Sequence, residues 1–230
     1  MIQAILFDYN GVIVDDEQIH LRAYRDVLRT EGVALSDEDY LASLGMDDVA
    51  FVRAAFARNG RSLTDEMLHA VIRREHDLHR DFIKEELPAA SGVITFIKEA
   101  SRYYQLGIVS MAVRGEIDYL LERAALDGLF VVLVTAEQVT KHKPAPDCYQ
   151  LALSMLNHKL RAERKLPLLA DEFLVIEDSP PGIEAARAAG MRTIGVTNTV
   201  SEAELRKAGA DVVTANLGDW NVDAVHRLFD

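Results

Sequence analysis

The sequence predicts a doubly wound α/β fold whose parallel sheet is interrupted, after its first strand, by an all-helical insertion. Residues 2–7 form a short apolar run, the pattern of a strand buried on both faces of a parallel sheet. Residues 17–86 show apolar residues at helical spacing and no convincing strand. From Pro88 onward, strand and helix patterns alternate, which is typical of a parallel sheet with crossover helices.

The insertion reads as a set of amphipathic helices. The first follows Asp15–Asp16, with Gly32 as its stop, and Ser36 with Asp39 resembles a capping box that opens a second. A third begins at Asp47 or Asp48, and a long fourth begins at residues 64–66. We therefore place a helical cap domain at residues 16–87 and a core domain at residues 1–15 and 88–230.

The rest of the core domain is predicted as alternating elements. Strands are expected at residues 106–110, 130–134, 173–176, 192–196 and 211–214, with helices at 91–100, 117–125, 147–156, 183–189 and 201–208. The stretch 157–171 is basic at its start, so we interpret it as a surface excursion.

Bulk composition excludes several function classes. The net charge of −12, from 25 basic and 37 acidic residues, argues against nucleic acid as a partner. No apolar run approaches the length of a membrane span, and the N-terminus lacks a basic leader region. Cys148 is the only cysteine, which suits a reducing compartment, and without a basic partner in the sequence it reads as a packing residue. We expect a soluble, cytoplasmic monomer that does not bind membranes.

Polar residues follow four of the predicted strands. They are Asp8 and Asn10, Ser110, Lys143, and the pair Glu177 and Asp178. Right-handed crossovers bring the C-terminal ends of parallel strands to one edge of the sheet, where such folds bind ligands. Carboxylates there would suit Mg²⁺, and a lysine and a hydroxyl would suit a phosphate. Asp8 is then a candidate carboxylate nucleophile that forms an aspartyl-phosphate.

Each of these residues also has an ordinary structural interpretation. Ser110 is compatible with a plain strand-end hydroxyl, Lys143 with a solvated loop charge, and Glu177–Asp178 with the N-cap of the next helix. For each residue taken alone, the structural interpretation is favoured over a functional one. Four such groups in this order along the chain favour a phosphate site.

The order and the residues of the motifs resemble those of the haloacid dehalogenase (HAD) superfamily of Mg²⁺-dependent phosphohydrolases, in the branch with a helical cap. The matching segments are F-D-Y-N-G-V-I-V-D at 7–15, I-V-S-M at 108–111, K-P-A-P-D-C-Y at 143–149 and V-I-E-D-S-P-P-G-I-E-A-A-R-A-A-G at 175–190. His20 within H-L-R-A-Y is similar to the β-phosphoglucomutase and sugar-phosphate or phosphoglycolate phosphatase group. The resemblance covers nearly the whole chain and implies a Rossmann-like core.

The resemblance also implies residue roles. Asp8 is the expected nucleophile, with Asp8, Asp178 and the Asn10 carbonyl as Mg²⁺ ligands and Glu177 supporting the metal shell. Three further residues are expected to bind the phosphoryl group of a small phosphorylated metabolite, of sugar type: Ser110, Met111 through its backbone N–H, and Lys143. A cap-loop arginine for a second phosphate is missing, which argues against a bisphosphate substrate.

Asn10 departs from the family pattern, which has aspartate at this position. In the family that aspartate protonates the leaving oxygen and later deprotonates water, and an amide does neither. General acid–base catalysis is typically worth about 10²–10⁴-fold, so we expect attenuated phosphatase turnover. Open alternatives are an enzyme that uses another proton carrier, for which His20 is the candidate, and a trapped, substituted form of an ordinary phosphatase. A catalytically weak binding or regulatory relative and a β-phosphoglucomutase-like mutase also remain open.

The long cap helix carries Glu75, His76 and His79 in one stretch, among several charged neighbours. We interpret this stretch as a solvated helix face rather than a metal site.

Overall fold

The computed structural model describes residues 1–43, 46–84, 88–90 and 92–229. The chain divides into two compact units, one formed by Met1–Asp15 with Ala89–Asp230 and the other by Asp16–Pro88. Each unit has its own cluster of buried apolar side chains. The predicted end of the cap domain at residue 87 and the predicted helix start at Ser91 lie outside the described residues.

The core domain contains one six-stranded sheet in the order β3-β2-β1-β4-β5-β6, and all strand pairs are parallel. The strands are β1 Ala4–Phe7, β2 Gln105–Val109, β3 Phe130–Val134, β4 Phe173–Glu177, β5 Arg192–Val196 and β6 Val212–Thr214. The predicted fold class, a doubly wound parallel sheet with an all-helical insertion, is therefore confirmed.

Strand β1 lies at the centre of the sheet and sets the position of the strand ends. Its four residues are all buried, as expected for a strand covered on both faces. Phe7 is in register with Ile108 of β2 on one side and with Ile176 of β4 on the other. The pairing continues one step further, because the Asp8 N–H donates to the Ile176 carbonyl at 2.9 Å. Asp8 and Glu177 therefore emerge side by side at the same sheet edge.

Over its described residues, the core domain has six helices that connect or flank the strands. They are α5 Val93–Ala100, α6 Arg114–Arg123, α7 Asp147–Ala162, α8 Pro180–Ala188, α9 Glu202–Ala208 and α10 Val222–Phe229. The predicted surface excursion from residue 157 is wrong over 157–162, because Leu156 and Leu160 continue the buried stripe of α7 while its basic residues face outward. Helix α10 was missed, although its Val222 and Val225 are buried.

In the described part of the cap domain there are four helices, α1 Glu17–Thr30, α2 Asp37–Leu41, α3 Asp48–Arg58 and α4 Asp65–Ile83. Three of them begin with a side-chain cap of the expected type: Ser36, Asp47 and Thr64 each accept a backbone N–H from three residues on. The predicted N-cap at Ser36 is confirmed, with a Ser36 Oγ to Asp39 N distance of 3.1 Å. Among the described residues, no helix has both the length and the apolar character needed to cross a bilayer.

The interpretation of Glu75, His76 and His79 as a solvated face is wrong. Glu75 is fully buried and His79 is 3% exposed. Both lie on the α4 face that also buries Leu68, Val71 and Ile83, since these positions recur every three or four residues. The polar side chains thus continue an apolar stripe, and their partners come from other parts of the cap domain.

Candidate active site

Three carboxylates of the core domain meet at the C-terminal edge of the sheet. Oxygen atoms of Asp8, Glu177 and Asp178 lie within 4.8 Å of one another, and all three residues are buried or nearly so. Asp8 directly follows β1, and Glu177 and Asp178 end and follow β4. The convergence predicted from the strand ends is therefore observed for these residues.

Lys143 joins two of the three carboxylates. Its Nζ donates to Asp8 Oδ1 at 2.8 Å and to Glu177 Oε1 at 2.6 Å, with a third bond to the Val109 carbonyl at 3.2 Å. Burial lowers the pKa of Lys143, but attraction to Asp8 and Glu177 outweighs it and holds the pKa well above its usual value. The ammonium group therefore stays charged. The alternative interpretation of Lys143 as a solvated loop charge is wrong, because the side chain is buried.

Both oxygens of Glu177 are engaged by neighbouring donors. Oε1 also accepts from the Tyr149 hydroxyl at 3.2 Å, and Oε2 accepts from the backbone N–H groups of Asp178 and Ser179, each at 3.0 Å. A Cβ atom on Gly182 would lie 1.7 Å from Oε1, so only glycine leaves room for this carboxylate. Glu177 is therefore placed to orient its neighbours rather than to bind a ligand directly.

Asp8 has a shifted pKa. Burial raises it, Lys143 lowers it and Glu177 raises it again, and the result is a pKa of about 7. Near neutral pH the Asp8 carboxyl is thus poised between its two protonation states, and any added cation at this edge would favour the carboxylate that nucleophilic attack requires.

Asp178 is held by the loop that follows β1 and by a residue that sequence reasoning missed. The Thr199 hydroxyl, beyond the end of β5, donates to Asp178 Oδ2. Gly11 has a φ of 73°, and a Cβ there would lie 1.8 Å from the same oxygen. Position 11 therefore needs glycine both for its backbone conformation and for the close approach of Asp178.

The other predicted site residues lie in different surroundings. Asn10 is half-buried in the turn after Asp8, where the Gly11 N–H donates to the Val14 carbonyl at 2.7 Å. Ser110 is buried at the end of β2, and its Oγ accepts from the Ala112 N–H at 3.1 Å, which orients the hydroxyl and leaves its proton able to donate. Met111 follows it and is half-buried. His20 belongs to the cap domain, where it pairs with Asp16 and Glu75.

The donor set of the strand-end site fits a hard divalent cation. Three carboxyl groups face a single lysine, so ionisation of all three leaves an excess of two negative charges in a buried space. Oxygen donors of this kind are the ligands that Mg²⁺ prefers.

The chain matches the haloacid dehalogenase-like hydrolase family over residues 5–196. It belongs to that family. The resemblance drawn from the four motifs is thereby confirmed, and the converging Asp8, Lys143 and Glu177–Asp178 lie within the matched region.

Individual haloacid dehalogenase-like relatives cover most of this chain. Protein SUPPRESSOR OF QUENCHING 1 of Arabidopsis thaliana is 29% identical over 97% of the chain, although the chain spans only 20% of that protein. A phosphorylated carbohydrates phosphatase of Thermotoga maritima is 28% identical, over 90% of this chain and 92% of that protein. The crystal structure of CbbY from Rhodobacter sphaeroides, an Asp-to-Asn variant in complex with xylulose-1,5-bisphosphate, is 25% identical with a TM-score of 0.80 and covers 95% of this chain and 96% of that chain.

Gly182→Ala tests whether the glycine of α8 makes room for the Glu177 carboxylate. We expect the free energy of unfolding to fall by about 1–3 kcal/mol, because the added methyl group displaces a buried carboxylate from its donors. Gly115→Ala is the matched control in α6, where nothing lies within 4 Å of the new Cβ, and it should stabilise the fold by about 0.5–1 kcal/mol. Urea denaturation measures both, and equal shifts of the same sign would contradict the packing argument.

Proposed function

We propose that this protein is a Mg²⁺-dependent phosphomonoester hydrolase for small sugar-type phosphates. Asp8 attacks phosphorus and forms an aspartyl-phosphate, while the sugar oxygen leaves and takes a proton from solvent. Water then attacks the phosphorus atom, which releases inorganic phosphate and restores the Asp8 carboxyl group. Turnover is attenuated because Asn10 replaces the acid–base residue of this step. The observation that carries the proposal is the placement of Asp8, a carboxylate oriented by Lys143, among two further carboxylates at the sheet edge.

The geometry around Asp8 supports its role as the nucleophile. Lys143 binds one carboxylate oxygen at 2.8 Å and so fixes the orientation of the group. The same ammonium group favours the ionised form of Asp8 and offers positive charge to an incoming phosphate. Glu177 anchors the other side of the ammonium at 2.6 Å, which keeps Lys143 in place while charge moves between Asp8 and phosphorus.

The proposed Mg²⁺ ligands are Asp8, Asp178 and the Asn10 backbone carbonyl, with Glu177 supporting this arrangement through its backbone contacts. When bound, Mg²⁺ would neutralise phosphate charge and orient the phosphoryl group. The bond from Thr199 holds Asp178 ready for this role.

The phosphoryl group is proposed to lie against Ser110, the Met111 N–H and Lys143. Ser110 is suited to the role because its oxygen accepts the Ala112 N–H, so its hydroxyl proton remains available to donate. The overall charge of −12 would repel an anionic substrate, and this local set of donors with Mg²⁺ offsets that repulsion.

The substrate class rests on the relatives. The Thermotoga maritima relative is a phosphatase of phosphorylated carbohydrates, and the CbbY structure holds a sugar bisphosphate. For this chain we propose a sugar-type monophosphate.

His20 does not replace the missing base in this proposal. Burial lowers its pKa, but Asp16 and Glu75 raise it well above the usual value. The imidazole ring therefore holds its proton, and an imidazolium group cannot accept one from the attacking water. Asn10 thus leaves the hydrolysis of the aspartyl-phosphate without a base.

Asn10→Asp tests the attenuation. We expect steady-state hydrolysis of alkyl phosphates to rise by about 10²-fold or more, because a carboxyl group restores both proton transfers. With p-nitrophenyl phosphate, whose leaving group needs little protonation, the unmodified chain should show a burst followed by a slow steady state. Asn221→Asp is the matched control, since it adds the same charge at the start of α10 and keeps an oxygen for the Ala224 N–H.

Equal rates in the Asn10→Asp variant and the unmodified chain would contradict the attenuation. High activity in both would mean that another group carries the proton, and His20→Ala would then identify it. Absence of activity in both would favour a binding protein that retains the fold.

Asp178→Asn tests the metal site separately from turnover. We expect Mg²⁺ affinity to fall by at least about 100-fold, because one of two charged ligands is lost. Isothermal titration calorimetry of the variant beside Asp127→Asn, an exposed control position, measures the change. Unchanged affinity in Asp178→Asn would rule out the proposed ligand set.

A further inference from the structure

The cap domain contains a second group of buried ionisable side chains, separate from the strand-end site. Asp16 and Glu75 are fully buried, and His79 is 3% exposed. The His20 side chain is 14% exposed. The four residues come from the N-terminal end of α1 and the C-terminal half of α4.

Three of these residues bring candidate ligand atoms close together. Asp16 Oδ2 lies 2.9 Å from His79 Nε2 and 3.4 Å from His20 Nε2, and the three atoms are within 4.8 Å of one another. The two imidazole rings are stacked, with centroids 3.8 Å apart and planes inclined by 11°. Two ring nitrogens and one carboxylate oxygen therefore share a single small space.

The spacing suits a tetrahedral ion as well as a hydrogen bond. Donor–acceptor distances in good N–H···O hydrogen bonds run from about 2.7 to 3.2 Å, so the 3.4 Å separation is long for one. Ligands about 2.0–2.1 Å from a tetrahedral Zn²⁺ lie about 3.3 Å apart, close to that separation. Because the two ring planes are nearly parallel, both rings would have to tilt apart before their Nε2 lone pairs could point at one ion.

Glu75 occupies the position that supports a metal-binding histidine. Its Oε1 lies 2.9 Å from His20 Nδ1, so the carboxylate fixes the ring orientation and the tautomer that presents Nε2. Its Oε2 is buried, has no hydrogen-bond partner among the described residues, and lies 4.0 Å from His76 Nε2. A buried carboxylate oxygen left in this state is costly, and a nearby divalent cation would compensate its charge.

We propose that Asp16 Oδ2, His20 Nε2 and His79 Nε2 form a Zn²⁺-type metal site inside the cap domain. Glu75 holds His20 in the required tautomer, and a water molecule completes four-coordination. Binding requires both Nε2 atoms to be free of protons, and the protons displaced from them go to solvent. The ion would link α1 to α4, the first and last helices of the cap domain.

Protons and metal compete for the same atoms. His20 and His79 hold the pKa of Asp16 below its usual range although burial raises it, so the carboxylate ligand is ionised throughout the neutral range. Because Asp16 and Glu75 raise the pKa of His20, metal affinity should increase with pH.

Co²⁺ provides a direct probe, since four-coordinate Co²⁺ with nitrogen ligands absorbs visible light far more strongly than six-coordinate Co²⁺ with oxygen ligands. The full chain is stripped with a chelator and supplied with saturating Mg²⁺, which keeps the strand-end site occupied. Co²⁺ is then titrated and followed by visible absorption. We expect strong absorption that saturates at one equivalent and is abolished when Zn²⁺ displaces Co²⁺.

Two variants with a matched control locate the site. His79→Phe keeps a ring stacked on His20 and removes one ligand, so the strong absorption should disappear. His69→Phe, at an exposed position of the same helix, should retain the absorption. Glu75→Gln should weaken Co²⁺ binding by about 10–100-fold while retaining the spectrum. If His79→Phe does not fold, the Glu75→Gln affinity decides the question. Weak six-coordinate absorption in the unmodified chain, or unchanged affinity in Glu75→Gln, would overturn the proposal.

Discussion

The buried interaction of Lys143 with Asp8 and Glu177 is the constraint on which the rest of the strand-end site depends. One ammonium group satisfies two carboxylates that end neighbouring strands, so it links the loop before α7 to the centre of the sheet. Removing one member of such a buried set leaves uncompensated charge and typically costs about 3–5 kcal/mol. Register decides whether the interaction forms at all, because Asp8 and Glu177 become neighbours only when Phe7 pairs with Ile176.

The strand-end site and the buried group of ionisable residues in the cap domain balance charge in different ways. At the strand ends, three carboxyl groups face one lysine, and a divalent cation would offset the excess negative charge. In the cap domain, two carboxylates face two imidazole rings. The first arrangement favours hard, oxygen-bound Mg²⁺, and the second favours a borderline ion such as Zn²⁺.

Sequence reasoning located the residues that are fixed by topology. Asp8, Lys143, Glu177 and Asp178 could be predicted to meet because parallel strands end at one edge. Thr199 and Tyr149 were missed because nothing local distinguishes a threonine after β5 or a tyrosine in α7 from many others; their roles arise from tertiary contacts. The polar residues of α4 were misinterpreted because residue type was given more weight than spacing. Glu75 and His79 are of types that are usually solvated, but their spacing from Leu68 and Val71 places them on the buried face.

The central claim is that Asp8 becomes phosphorylated during turnover. Its most direct test is mass spectrometry of the intact chain and its peptides after rapid acid quenching of a reaction with p-nitrophenyl phosphate and Mg²⁺. The account predicts a mass gain of one phosphoryl group, located at Asp8, that accumulates because Asn10 slows its hydrolysis. Release of p-nitrophenol without a phosphorylated chain, or a phosphoryl group on another residue, would contradict it.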